Sequence, residues 1–139
     1  MLYFTKKQYA LPAGKSEAQV REELKSNPLF FVQAGDELML RRGRSLPSRG
    51  ITRLLIPRVV SKMSNDGQLT FSFGLDSLAS LMLVLLIGAA IIDLVLSRQV
   101  YPREYPPAFI PALMLIYLAA IVYDFFMTSQ TIQQTITKK

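Results

Sequence analysis

Two long apolar runs, separated by a short proline-rich stretch, limit what this chain can fold into more than any other feature. Leu78 to Leu96 is 19 residues with one charge, Asp93, and Ala108 to Met127 is 20 residues with one charge, Asp124. At 1.5 Å of rise per residue, a helix of either length covers the roughly 30 Å hydrocarbon core of a bilayer. The pattern predicts a transmembrane hairpin over residues 77–127, with helices at about 77–97 and 107–127 and an outer loop at 98–106. Tyr101 and Tyr105 in that loop suit an interfacial belt, and its prolines hold the turn open without backbone donors.

Residues 1–76 are about the smallest length that makes a core of its own, so one small domain precedes the hairpin. That part holds 12 Lys and Arg against 7 acids and carries about +5 of the chain's net +6. Met1 to Leu11 has neither the apolar centre nor the cleavage site of a signal peptide, which makes the first apolar helix the expected insertion signal. Arg58, Lys62, Lys138 and Lys139 flank the helices on one side, against Arg98 and Arg103 on the other. This modest positive-inside bias places both termini in the cytoplasm. Size and style point to a bacterial inner membrane.

Local signals give the small domain an α+β, β-rich character of about β-α-β-β-β-β. Tyr3 to Leu11 has strand composition and is broken by Pro12-Ala13-Gly14. Ser16 followed three residues later by Gln19 is a capping box, opening a helix to about Lys25 that Asn27-Pro28 stops. Leu29 to Val32 and Glu37 to Arg42 read as two strands about a turn at Gly35-Asp36. Gly43 to Gly50 is a loop by composition. Ile51 to Met63 is strand-like, but Pro57 must sit at an edge or a bulge. After a hairpin turn at Asn65-Asp66-Gly67, Gln68 to Phe73 alternates Leu69, Phe71 and Phe73 with polar residues. That strand enters the first apolar helix through Gly74-Leu75-Asp76-Ser77, with Asp76 or Ser77 placed to cap it. Almost no linker remains, so the domain is expected to sit against the membrane. The polar extension 128–139 carries only Ile132 and Ile136 as apolar residues. Their spacing allows the second helix to continue onto the domain, while the Thr and Ile content also suits a strand or a frayed tail.

The functional candidates are few. Between Glu37 and Asp66 lie 28 residues without an acid, holding Arg41, Arg42, Arg44, Arg49, Arg53, Arg58 and Lys62. On a cytoplasmic leaflet these side chains suit anionic headgroups, at about 1 kcal/mol for each one near the surface. The alternatives are a merely solvated basic face or an anionic ligand, and nucleic acid is disfavoured because aromatics do not interleave the cations. The intramembrane acids Asp93 and Asp124 lie near opposite ends of an antiparallel hairpin and cannot pair, so each is expected to satisfy itself at an interface, or to serve assembly or an ion path. Gly88, Ala89, Ala112, Ala119 and Ala120 are small residues suited to helix packing within the hairpin or between copies.

The chain has no Cys and no His, which removes disulfides, thiolate sites and the commonest metal ligand and general base. No phosphate loop, zinc spacing, calcium loop or serine-hydrolase elbow is present. The expectation is a non-enzymatic two-pass membrane protein without cofactor or metal, an anchor, scaffold or accessory subunit whose domain binds a partner, anionic lipid or a second copy. Its partners are then membrane lipid and either further copies of the chain or the other subunits of a membrane complex. The alternative is an oligomeric pore gated by the domain.

Overall fold

The computed structural model describes residues 2–33, 38–43, 57, 59–64, 69–96 and 109–138. It is an α+β arrangement with the element order β1 (Leu2–Tyr9), α1 (Glu17–Ser26), β2 (Phe30–Gln33), β3 (Met39–Arg42), β4 (Val59–Met63), β5 (Leu69–Leu75), α2 (Ser77–Leu96) and α3 (Phe109–Thr137). Local signals explain most of these boundaries. Ser16 accepts from the Gln19 amide while the Gln19 side chain accepts from the Ser16 amide, so α1 starts on a complete capping box. Its Asn27 C-cap is extended and precedes a proline, which stops the helix. Pro57 is buried and stands two residues ahead of β4, outside the ladder rather than at an edge or bulge within it. The turns expected at Gly35-Asp36 and Asn65-Asp66-Gly67, the loop over 44–50, the strand-like residues 51–56 and the outer loop 98–106 lie outside the described residues.

The five strands form one antiparallel sheet in the order β1-β5-β4-β3-β2. Strand alternation divides it into two faces. Leu69, Phe71, Phe73 and Leu75 of β5 point to the same side as Val59, Ser61 and Met63 of β4 and Leu40 of β3, and all are buried. Val20 and Leu24 of α1 join them, as do Ile132 and Ile136 near the end of α3. The opposite face carries the in-register row Met39, Lys62, Ser72 and Lys6, one residue from each of four strands.

Between β5 and α2 stands a single residue, Asp76, whose carboxylate accepts from the Ala79 amide at 2.8 Å and caps the helix. α2 and α3 are long and apolar enough to cross a membrane. They are not core helices. Only 6% of the most apolar window of α2, and 11% of that of α3, is buried inside the molecule. Pro111 falls in the first turn of α3, where the amides have no helical partner and its missing donor costs nothing. α3 then runs unbroken past Met127 for ten further residues, to Thr137. One side of its last turns returns to the core, with Ile132 at 0% and Ile136 at 1% exposure. The sheet therefore completes its core with residues from beyond the second apolar run.

Candidate functional site

Antiparallel pairing brings several chain segments to the end of the sheet from which α2 departs. β5 finishes there, so β1 and β4 begin there and β3 finishes there. Three contacts fasten this end to the long helices. The Arg41 guanidinium, near the end of β3, donates to the Asp76 carboxylate at 2.6 Å, with both side chains about three-quarters buried. One carboxylate thus caps α2 with one oxygen and holds β3 with the other. At the start of β4 the Val59 amide donates to the Asp124 carboxylate of α3 at 2.8 Å. Phe125, the next residue of α3, sits edge-on to Phe73 of β5 at 5.1 Å and to Phe4 of β1 at 5.7 Å.

A polar cluster lies one helical turn further along α3. Lys7 donates its ammonium to Ser129 Oγ at 2.8 Å, and the Tyr9 hydroxyl shares a 2.8 Å hydrogen bond with the same oxygen. Ser129 is itself buried, and the Lys7 nitrogen stands 5.3 Å from the centre of the Phe125 ring, in a cation–π contact. The cluster is a clamp between the edge strand and α3. Burial pushes the Tyr9 phenol above its ordinary value of 10.0, and the Ser129 hydrogen bond pulls it part of the way back.

The sequence-identified residues divide accordingly. Arg41 is engaged with Asp76. Arg42 pairs through its backbone with Phe30, and Lys62 lies half-buried on the face opposite the core. Arg44, Arg49, Arg53 and Arg58 lie outside the described residues, but the segment that carries them leaves β3 and returns to β4 at the same sheet end. Asp93 is half-buried three residues before the end of α2, remote in the helix from the Asp76 cap, while Asp124 is bound to the sheet. Ala112 and Ala119 are exposed, Ala89 and Ala120 are half-buried, and a Cβ added to Gly88 would meet nothing within 4 Å. Near the sheet, the Tyr117 hydroxyl of α3 reaches the Ala79 carbonyl of α2 at 3.5 Å.

Sequence reasoning did not assemble Lys7, Tyr9 and Ser129. The two β1 residues are spaced to share a face, but their partner is about 120 residues away in a segment without a motif. Among the described residues no three acidic side chains gather as a metal site would require. Two depressions of about 470 and 500 Å3 lie beside α1, the first lined in part by Lys15, Gln19 and Glu23 and the second by Glu23, Asn27 and Thr135. Comparison with protein-family models, curated proteins and solved structures found no match to this chain.

Proposed function

We propose that this is a non-enzymatic two-pass membrane protein whose hairpin holds the α+β domain against the cytoplasmic leaflet and presents its arginine-rich connection to anionic lipid. The observation that carries the reading is the common position of the fastenings. The segment between β3 and β4 is held at Arg41 by the residue that caps α2, and at Val59 by a carboxylate of α3. Arg41 and Val59, on either side of that segment, are thereby fixed beside the helices long enough to cross a bilayer, and the sequence between them carries Arg44, Arg49, Arg53 and Arg58. At about 1 kcal/mol for each cation near an anionic surface, four of them make a preference large enough to measure. A pore would draw on the same exposed helix faces. Leu81, Val84, Leu85, Leu115, Ile116 and Val122 occupy them, a lining that suits lipid contact better than conduction.

The test is limited trypsin cleavage of the protein in nanodiscs of phosphatidylcholine alone and of phosphatidylcholine with phosphatidylglycerol. Cleavage after Arg44, Arg49, Arg53 and Arg58, followed by mass spectrometry, is expected to slow several-fold on the anionic discs. High salt should restore it. Equal rates on both discs would remove the lipid-binding part of the reading.

A further inference from the structure

Edge strand β1 begins with Leu2, Tyr3 and Phe4, which are 52%, 43% and 45% exposed. Three large apolar side chains in a row on an edge strand are an unusual surface for water and an invitation to mispairing. Their position offers an explanation. Leu2 pairs with Leu75 and Tyr3 with Gly74, so this strand end lies level with Asp76 and the first turn of α2. The pairing then slips. Tyr3 faces Gly74 and Thr5 faces Phe73, so Phe4 is an extra, bulged residue. Its ring is turned onto Phe125 of α3. On that helix the neighbouring Val122, Tyr123 and Phe126 are all strongly exposed. Apolar surface is therefore continuous from the exposed faces of the long helices onto the start of β1. Polarity changes along the strand within a short distance, because Lys6 lies about 13 Å beyond Leu2 at the usual rise per residue.

We infer that the first three residues of β1 are a membrane-contact element, inserted at the interface beside Tyr123 and Phe126, with Lys6 at headgroup level. This rests on the spanning role proposed for α2 and α3 and adds a third point of contact, contributed by the sheet itself. The occupant is the lipid bilayer. It continues the apolar helix faces, the aromatic rings sit where an interfacial belt would, and the change to lysine follows the step from acyl chain to headgroup.

The chain contains no tryptophan, so single tryptophans report position without background. The variants are Phe4→Trp and Leu2→Trp in the inferred contact, Ala10→Trp at an exposed position just past the strand, and Ile116→Trp on an exposed face of α3. Each is reconstituted as the full chain into phosphatidylcholine vesicles containing some phosphatidylglycerol, with and without acyl-chain bromination, and titrated with iodide. The expected result is loss of most emission in brominated vesicles for the reporters at 2, 4 and 116, whereas the reporter at 10 responds to iodide alone. Bromine quenching at 116 combined with iodide-only quenching at 2 and 4 overturns the inference and leaves the spanning reading intact. Absence of bromine quenching at 116 removes the spanning reading and this one with it. Reporters at 2 and 4 shielded from both quenchers point to coverage by protein, such as a second copy paired along β1, and also overturn it. Leu2→Trp keeps the result decisive if tryptophan at position 4 disturbs the contact with Phe125.

Discussion

Gly74 has little room for any other residue. A Cβ built there would stand 2.7 Å from the Leu2 carbonyl oxygen and 3.1 Å from the Tyr3 Cα, both backbone atoms that can yield only if β1 moves. Gly74→Ala is therefore expected to destabilise the domain by about 1–3 kcal/mol, the usual range for overpacking, measured by urea unfolding in detergent. It should also loosen the bulged strand start. Asp124 tests a different effect. Asp124→Leu leaves the Val59 amide without its acceptor and is expected to cost about 1–3 kcal/mol, whereas Asp124→Asn retains an oxygen and should cost less. Tyr9 supplies a pH dependence. Its phenol is raised in the folded state, so its contribution is complete below the unfolded value of 10.0 and declines as pH rises through the higher folded value. The wild type should lose stability above pH 10 more steeply than Tyr9→Phe, which in turn starts about 1 kcal/mol lower at neutral pH for want of the Ser129 hydrogen bond.

Among the elements, α3 does two jobs along one axis. Its first turns present apolar residues outward, and its last turns fill the core beside α1. Ile132→Ala and Ile136→Ala are each expected to cost about 2–5 kcal/mol, because both side chains are enclosed on every side. Against a total of about 5–15 kcal/mol for a typical domain, either loss is severe, and chemical denaturation of the two variants checks it. Much of this architecture was legible beforehand. The capping box at Ser16, the alternation of Leu69, Phe71 and Phe73 and the Asp76 cap all act over four residues or fewer, and each left a pattern in the chain. The continuation of α3 was only half legible, since two isoleucines four apart among threonines satisfy either a helix or a strand. Asp124 was visible as a charge, but its partner is a backbone amide, which has no sequence signature. The Phe4 bulge and the Ser129 clamp depend on which strands become neighbours, and that is settled by tertiary topology.

For the whole molecule, the division between sheet and helices is one of composition more than of mechanics. Asp76 joins α2 to β3, Asp124 joins α3 to β4, and Ser129 joins α3 to β1. A chain of residues 1–76 alone lacks Ile132 and Ile136 and leaves Val20, Leu24 and the covered face of β5 partly bare. It is expected to bind a hydrophobic dye and to give a poorly dispersed amide spectrum, whereas the full chain in detergent gives neither result. A well-dispersed spectrum from the short chain would show that α3 is dispensable for the core.

The burial of Ile132 and Ile136 also has a consequence for the order of events during synthesis. The strands emerge from the ribosome first, yet the side chains that close their core are made near the end of the second long helix. Contacts such as Tyr9 with Ser129, 120 residues apart, cannot form until nearly the whole sequence exists. Until then the apolar side of the sheet is covered only in part, by α1, and is open to chaperones or to mispairing. The core therefore closes only once the final turns of α3 reach the face of the sheet that α1 also covers.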